Sequence, residues 1–242
     1  MWDWSSFLHY LHSAYLIRGA GITLGLSIAA MLLGLICGLV AALMRLSKSQ
    51  LLNRPAKGYI WVMRGTPVLV QLIIIYTGLP QLGIKLGVIS AAIIGLGVNE
   101  GAYLAEIIRA GIIAVPKGQF EAANALGLSP WRTMRLVVLP QALRIVIPPI
   151  GNSFNGLMKT SSLASVISLD ELLRRTEMLI QVQFRVLEIF TVAALYYLVL
   201  TTLWGFVQQW IEARLSRAYA TVAPATNAAA AVQAAALSHD AI

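Results

Sequence analysis

Charge is what this sequence has least of. Only 12% of its 242 residues are Asp, Glu, Lys or Arg, against 58% hydrophobic, and the mean hydropathy is +0.76. Soluble domains carry about 25% charged residues, so the deficit excludes an ordinary soluble chain and points to a polytopic membrane protein. Acids are scarcer than bases, and the formal net charge is +8. The cations punctuate apolar runs instead of forming one face, which suits anionic lipid and not nucleic acid. Cys37 is the single cysteine, so an internal disulfide is excluded and a small core residue is the natural reading. All three histidines lie near the ends, leaving no His pair in the apolar runs to ligate a haem. No Lys or Arg precedes Arg18, so the basic start of a cleaved signal peptide is also missing.

What is present is a series of apolar runs that predicts five membrane spans. Residues 1–18 place Trp2, Trp4, Phe7, Tyr10 and Tyr15 ahead of the first span, as an interfacial segment would. The first span is expected over 19–44, with Gly25, Gly34 and Gly38 allowing close approach of a neighbour. Arg45, Lys48, Arg54 and Lys57 follow with no acid among them, placing that loop in the cytoplasm. A second span is expected over 59–79, kinked or restarted at Pro67, and a third over 88–114. The run 136–167 is too long for one straight span, and Pro148-Pro149, Gly151 and Gly156 are expected to break it. Residues 168–185 predict an amphipathic helix on the outer surface, and 186–210 the fifth span. The fold class is therefore all-α and polytopic, N-terminus outside and C-terminus inside, with one transmembrane domain over 19–215. The Ala-rich tail, 216–242, is expected to be disordered and dispensable.

Between the third and fourth runs lies the one sizeable polar, basic insert, 115–135. From Gln119 to Pro140 it reads QFEAANALGLSPWRTMRLVVLP. Glu121-Ala122-Ala123, three residues, Gly127, nine residues, Val137, one residue and Leu139-Pro140 resemble the EAA loop of ABC-importer permeases. Val137 stands where that pattern usually has Ile. Arg64-Gly65-Thr66-Pro67, Asn99 to Gly111, Pro116 to Gln119 and Asn152 to Ser168 resemble the polar-amino-acid, histidine/glutamine-type branch. The likeness covers about residues 18–215. It implies a type I importer permease fold in the bacterial cytoplasmic membrane and a second permease subunit, identical or homologous. Two cytoplasmic ATPase subunits and an extracytoplasmic amino-acid-binding protein are implied as further partners. No Walker A pattern occurs, so the chain is not expected to be an enzyme; ATP and Mg would be bound by the partner ATPase, with no cofactor or metal here. The resemblance assigns Glu121, Ala122, Ala123 and Gly127 to docking on that ATPase.

The candidate substrate site rests on intramembrane charge. Glu100 is at the middle of the third run, and Lys159 is eight residues, about 12 Å, inside the end of the fourth. A charge there costs at least about 2.5–3.5 kcal/mol, so each needs a partner or a wet cavity. Either the two form an ion pair that holds helices together, or they straddle a cavity for a zwitterion. In the second case Lys159 meets an α-carboxylate and Glu100 with Asn99 an ammonium, while Thr66, Ser161 and Ser162 supply neutral hydrogen bonds. Glu106 and Arg109 are spaced as a local pair, and Arg64 reads as a helix-end residue. Two other functions compete: a proton-coupled carrier using Glu100 and Glu106, and a structural anchor subunit. An odd span count and no repeated half weigh against the carrier; an anchor would not need a docking loop.

Overall fold

Asp3 starts the first helix. Its carboxylate accepts from the amides of Ser5 (3.0 Å) and Ser6 (3.3 Å), so α1 (Trp4–Leu11) begins there. The computed structural model describes residues 2–220, with side chains through residue 215, and every element among them is helical. α1 lies against the far end of the chain: the Tyr196 hydroxyl donates to Leu11 O (2.8 Å), and Arg185 pairs with Asp3 (3.4 Å).

α2 (Ala14–Leu46) begins five residues before the expected Gly19. Its 33 residues span about 50 Å, more than a hydrocarbon core of about 30 Å, so it tilts or protrudes. The basic stretch after it is mostly helical, since α3 (Gln50–Gly65) starts after Ser49 and carries Arg54 and Lys57 in its first turns. α4 (Val68–Ile73) follows and continues through wider turns at Ile74–Gly78 and tighter ones at Leu79–Leu82. Of the two outcomes expected at Pro67, a kink or a restart, the structure shows the restart: two helices meeting at 104°. Pro67 lacks an amide hydrogen and forces Thr66 into an extended conformation (φ −122°, ψ 146°), which ends α3 instead of bending it.

α5 (Val88–Ile113) matches the third expected span to within one residue. α6 (Lys117–Ala125) is the helix of the polar insert. α7 (Pro130–Thr133) runs through a π-helical stretch, Met134–Val138, into α8 (Leu139–Thr160) and a 3-10 end, Ser161–Ile167. The break expected at Pro148-Pro149 does not occur. α10 (Val186–Ala220) braces that stretch: Gln208 Nε2 donates to Pro148 O (3.3 Å) and Trp204 Nε1 to Gly151 O (2.8 Å). A neighbouring helix that serves the backbone in this way lets a membrane helix carry proline.

α9 (Leu172–Gln183) is the expected helix of 168–185, but its acid Glu171 is not on a surface. Glu171 is fully buried, caps α9 through the amides of Leu173 and Arg174 (2.8 Å each), and accepts from Thr23 (3.2 Å) and Tyr197 (3.1 Å). One carboxylate thereby joins α2, α9 and α10. Among the described residues, four helical stretches are long and apolar enough to cross a membrane, Ala14–Leu46, Val88–Ile113, Pro130–Ile167 and Val186–Leu215; the bent α3–α4 pair makes a fifth if it counts as one. The first residues of the expected tail, 216–220, continue α10, and 221–242 lie outside the described residues.

The tightest packing is between α2 and α5. A Cβ on Gly101 would stand 2.7 Å from Cys37 Cβ and from the Tyr59 hydroxyl, and 3.2 Å from Gly34 O; one on Gly38 would stand 3.1 Å from Gly101 O. Small residues one turn apart on both helices bring the backbones together. Gly25, expected to take part, has nothing within 4 Å. Gly101→Val is therefore expected to destabilise by about 1–3 kcal/mol through overpacking. Thermal unfolding of the purified protein in detergent should show a lowered midpoint for Gly101→Val and none for Gly25→Val.

Candidate functional site

A helix that stops at membrane depth leaves backbone carbonyls without partners, each costly in a medium without water. At the end of α3 side chains supply those partners. Thr66 Oγ1 donates to Val62 O (2.8 Å). Gln71 Nε2 donates to Met63 O (3.0 Å), Thr66 O (3.1 Å) and Thr66 Oγ1 (2.8 Å). From α5, Asn99 Nδ2 donates to Met63 O (2.9 Å) and to Gln71 Oε1 (3.1 Å). The three side chains hold the break open as a fixed wall.

Behind that wall is a cavity of about 550 Å³, bounded by the break, α5 and α8. Arg64 and Thr66 line it from the break, Asn99, Glu100 and Tyr103 from α5, and Ser153 and Thr160 from α8. Glu100 is half-buried and accepts from the Ser153 hydroxyl. The Arg64 guanidinium lies over the Tyr103 ring, 5.1 Å from its centroid. Towards the end of α5, Glu106 accepts from Arg109 (2.7 and 3.2 Å) and also meets Arg45 of α2 (3.6 Å). A second cavity of about 370 Å³, between α2, α8 and α10, has almost wholly apolar walls. It offers nothing that would recognise a polar solute.

The expected site residues divide. Thr66, Asn99 and Glu100 share the cavity; Lys159, Ser161 and Ser162 do not line it. Lys159 is exposed, and among the described residues no carboxylate lies within ion-pair distance of it, so the expected pair with Glu100 is absent. The cause is helical phase: Ser153, Gly156, Leu157 and Thr160 face α5, and at about 100° per residue Lys159 falls off that arc. Ser161 is buried and donates to Met158 O (2.8 Å), and Ser162 donates to Lys159 O (2.7 Å). The Glu106–Arg109 pair is present, enlarged by Arg45. Gln71, Ser153 and the place of Arg64, an exposed residue, on the cavity wall escaped the sequence reading. Gln71 did carry a signal, as a lone amide in an apolar run just past a helix-breaking proline.

The polar insert folds as its sequence suggests. Gly127 takes φ +70°, its amide donates to Asn124 O (2.9 Å), and the Leu128 amide reaches back to Ala123 O (3.1 Å). Glu121 lies in the second turn of α6, farther from the N-terminus than expected, because the helix starts at Lys117. Glu121 and Ala122 are exposed; Ala123 turns inward, buried on the bundle, while Phe120 packs with Val115, Val138 and Ala142. Leu126 (80% exposed) and Trp131 (71%) stand beside them in the open.

Replacing Gln71 by Leu removes three donated bonds and the acceptor for Asn99. A loss of about 1–3 kcal/mol is expected from the carbonyls left short of partners. The unfolding midpoint in detergent should fall for Gln71→Leu and hold for Gln81→Leu, whose side chain is exposed.

Comparison with known proteins gives one consistent result. The family model described as "Binding-protein-dependent transport system inner membrane component" matches residues 21–217. The chain is 43% identical over 198 residues to the "Probable amino-acid ABC transporter permease protein YckA" of Bacillus subtilis (strain 168), covering 82% of this chain and 88% of that one. It is 39% identical over 215 residues to the "Glutamine transport system permease protein GlnP" of Escherichia coli (strain K12), covering 88% and 97%. Among solved structures, a chain of an amino acid ABC transporter crystallised with histidines superposes with a TM-score of 0.83 at 38% identity, covering 88% of this chain and 99% of that one. A chain of the inward-facing MetNI methionine ABC transporter gives a TM-score of 0.71 at 22% identity, covering 83% and 96%, which is a likeness of fold alone.

Proposed function

The chain belongs to the family of binding-protein-dependent transport system inner membrane components, and we propose that it is the permease subunit through which an ABC importer takes up a polar amino acid. The observation that carries this reading is the cavity behind the α3–α4 break, where Glu100, Asn99 and Thr66 present polar atoms at the level of apolar helices. These three residues contact the passing substrate; Lys159, Ser161 and Ser162, off the cavity wall, take no part in the reading. A Glu106 already engaged by Arg45 and Arg109 is a poor proton carrier, which weighs against a proton-coupled mechanism.

The energy comes from outside the chain. Two cytoplasmic ATPase subunits bind ATP and Mg, and their closure moves α6. Exposed Glu121 and Ala122 form the docking face, and Gly127 sets the turn behind it. Leu126 and Trp131 extend it with the kind of exposed apolar surface that marks a partner site. Ala123 works from the other side, holding α6 to the bundle. A second permease subunit, identical or homologous, completes the pathway in the bacterial cytoplasmic membrane, and an extracytoplasmic binding protein delivers the amino acid.

The orientation follows from the cations. Arg45, Lys48, Arg54 and Lys57, then Lys117, Arg132 and Arg135, lie on the cytoplasmic side, with α9 outside. Cysteine placed at the exposed Lys48 should react with an impermeant maleimide only from the cytoplasm, and at the exposed Asp170 only from outside. The reverse pattern would sink the orientation.

Coupling has its own test. Gly127→Val puts a β-branched residue at φ +70°, a strain of about 1–2 kcal/mol that reshapes the turn behind the docking face. In proteoliposomes containing the ATPase and binding protein, ATP hydrolysis should continue while uptake fails. Normal uptake by this variant would show that the turn has no coupling role.

A further inference from the structure

The cavity holds two opposite charges that do not meet each other. Arg64 and Glu100 both line it, yet no ion pair joins them. Glu100 has the Ser153 hydroxyl and, among the described residues, no cation within ion-pair distance. Arg64 has the face of Tyr103 and, among the described residues, no carboxylate within ion-pair distance. The next acid along α5, Glu106, is engaged by Arg109 at 2.7 Å and by Arg45 at 3.6 Å. The structure therefore leaves one guanidinium and one carboxylate facing the same cavity, neither held in an ion pair among the described residues, with Glu106 feeling the Arg64 charge only at longer range. Tyr103, which lies under Arg64, is three residues beyond Glu100, a rise of about 4.5 Å along α5.

Resting on the reading of this cavity as the substrate passage, we propose that Arg64 is the carboxylate-binding residue. Its guanidinium takes the α-carboxylate of the amino acid in a two-point contact, while Glu100 with Ser153 takes the ammonium end. A guanidinium is the side chain best matched to a carboxylate, since its planar fork donates two parallel bonds. Stacking on Tyr103 orients that fork. The site thus has no net charge of its own and selects a zwitterion over a neutral solute or a simple amine. Lys159, the other cation of the region, lies off the wall and is not needed.

The test separates this assignment from the reading beneath it. The chain is reconstituted with its ATPase and binding-protein partners, and a transported amino acid is chosen by uptake from the common amino acids and cystine. Binding of that amino acid and of its α-carboxamide, which keeps the ammonium and loses the anion, is then measured on the permease–ATPase complex in nanodiscs. The unmodified protein should prefer the acid by at least about tenfold, as sites built around one polar group do. In Arg64→Gln the preference should collapse towards equality, and in Arg64→Lys it should persist in part. If Arg64 only shapes the helix end, both ligands weaken together and the ratio stands, which overturns the proposal. Equal binding of acid and carboxamide by the unmodified protein overturns it without any variant, even if Arg64→Gln does not assemble. No uptake of any amino acid by the unmodified protein removes the importer reading, and this assignment with it.

Discussion

The structure depends on two side-chain amides that take over a backbone's hydrogen bonds. A helix ended at membrane depth exposes carbonyls to a medium with no donors, and a bare break there would not persist. Asn99 and Gln71 supply the donors, one from α5 and one from the helix just beyond the break, and they bond each other as well. Pro67 creates the need; the two amides meet it. Without them the turn of 104° between α3 and α4 would lose its support, and the cavity would lose a wall.

Everything around the cavity follows from where Asn99 must stand. To reach Met63 O, α5 has to sit centrally in the bundle, and Gly97 and Gly101 allow that by letting α2 come within backbone contact: a Cβ on Gly97 would lie 2.9 Å from Ala30 O. The next residue, Glu100, then faces α8 and meets Ser153, while Tyr59 fixes the other side of α5 by donating to Val98 O (2.6 Å). A polar site at this depth needs a rigid frame, because each of its groups is costly if it drifts into lipid. The glycine contact supplies the rigidity, and the amide pair supplies the opening.

The sequence showed the elements well and the facing of side chains less well. Hydropathy and the turn residues located α5 to within a residue and placed Gly127 in its turn, because those signals are local. Pro148 and Pro149 misled because the residues that stabilise them, Gln208 and Trp204, are about fifty to sixty positions away on α10. Glu171 misled in the same manner: its charged neighbours suggested a surface, but Thr23 and Tyr197 draw it inside. Axial position is a quantity that residue counting addresses, though it set Glu100 and Lys159 at comparable levels and Glu100 meets Ser153 instead, about 9 Å short of Lys159 along α8. Rotation about the helix axis is not, and it is rotation that separates Lys159 from the cavity and brings Arg64 to it.

The uninterrupted helix from Pro130 to Ile167 has a structural consequence. Had Pro148-Pro149 broken it, the polar insert and the cavity wall would lie on separate helices. As one continuous helical stretch it connects the α6 contact at Val138 with Ser153 and Thr160 on the cavity wall. The stretch is irregular at its two ends, with π turns at Met134–Val138 beside the insert and 3-10 turns at Ser161–Ile167. α10 bonds to the stretch at Gly151 and Pro148, between the two ends. Glu100 bonds to that stretch through Ser153, and Asn99 bonds to the break. Adjacent residues on α5 thus bond to two different walls of the same cavity, the break and α8.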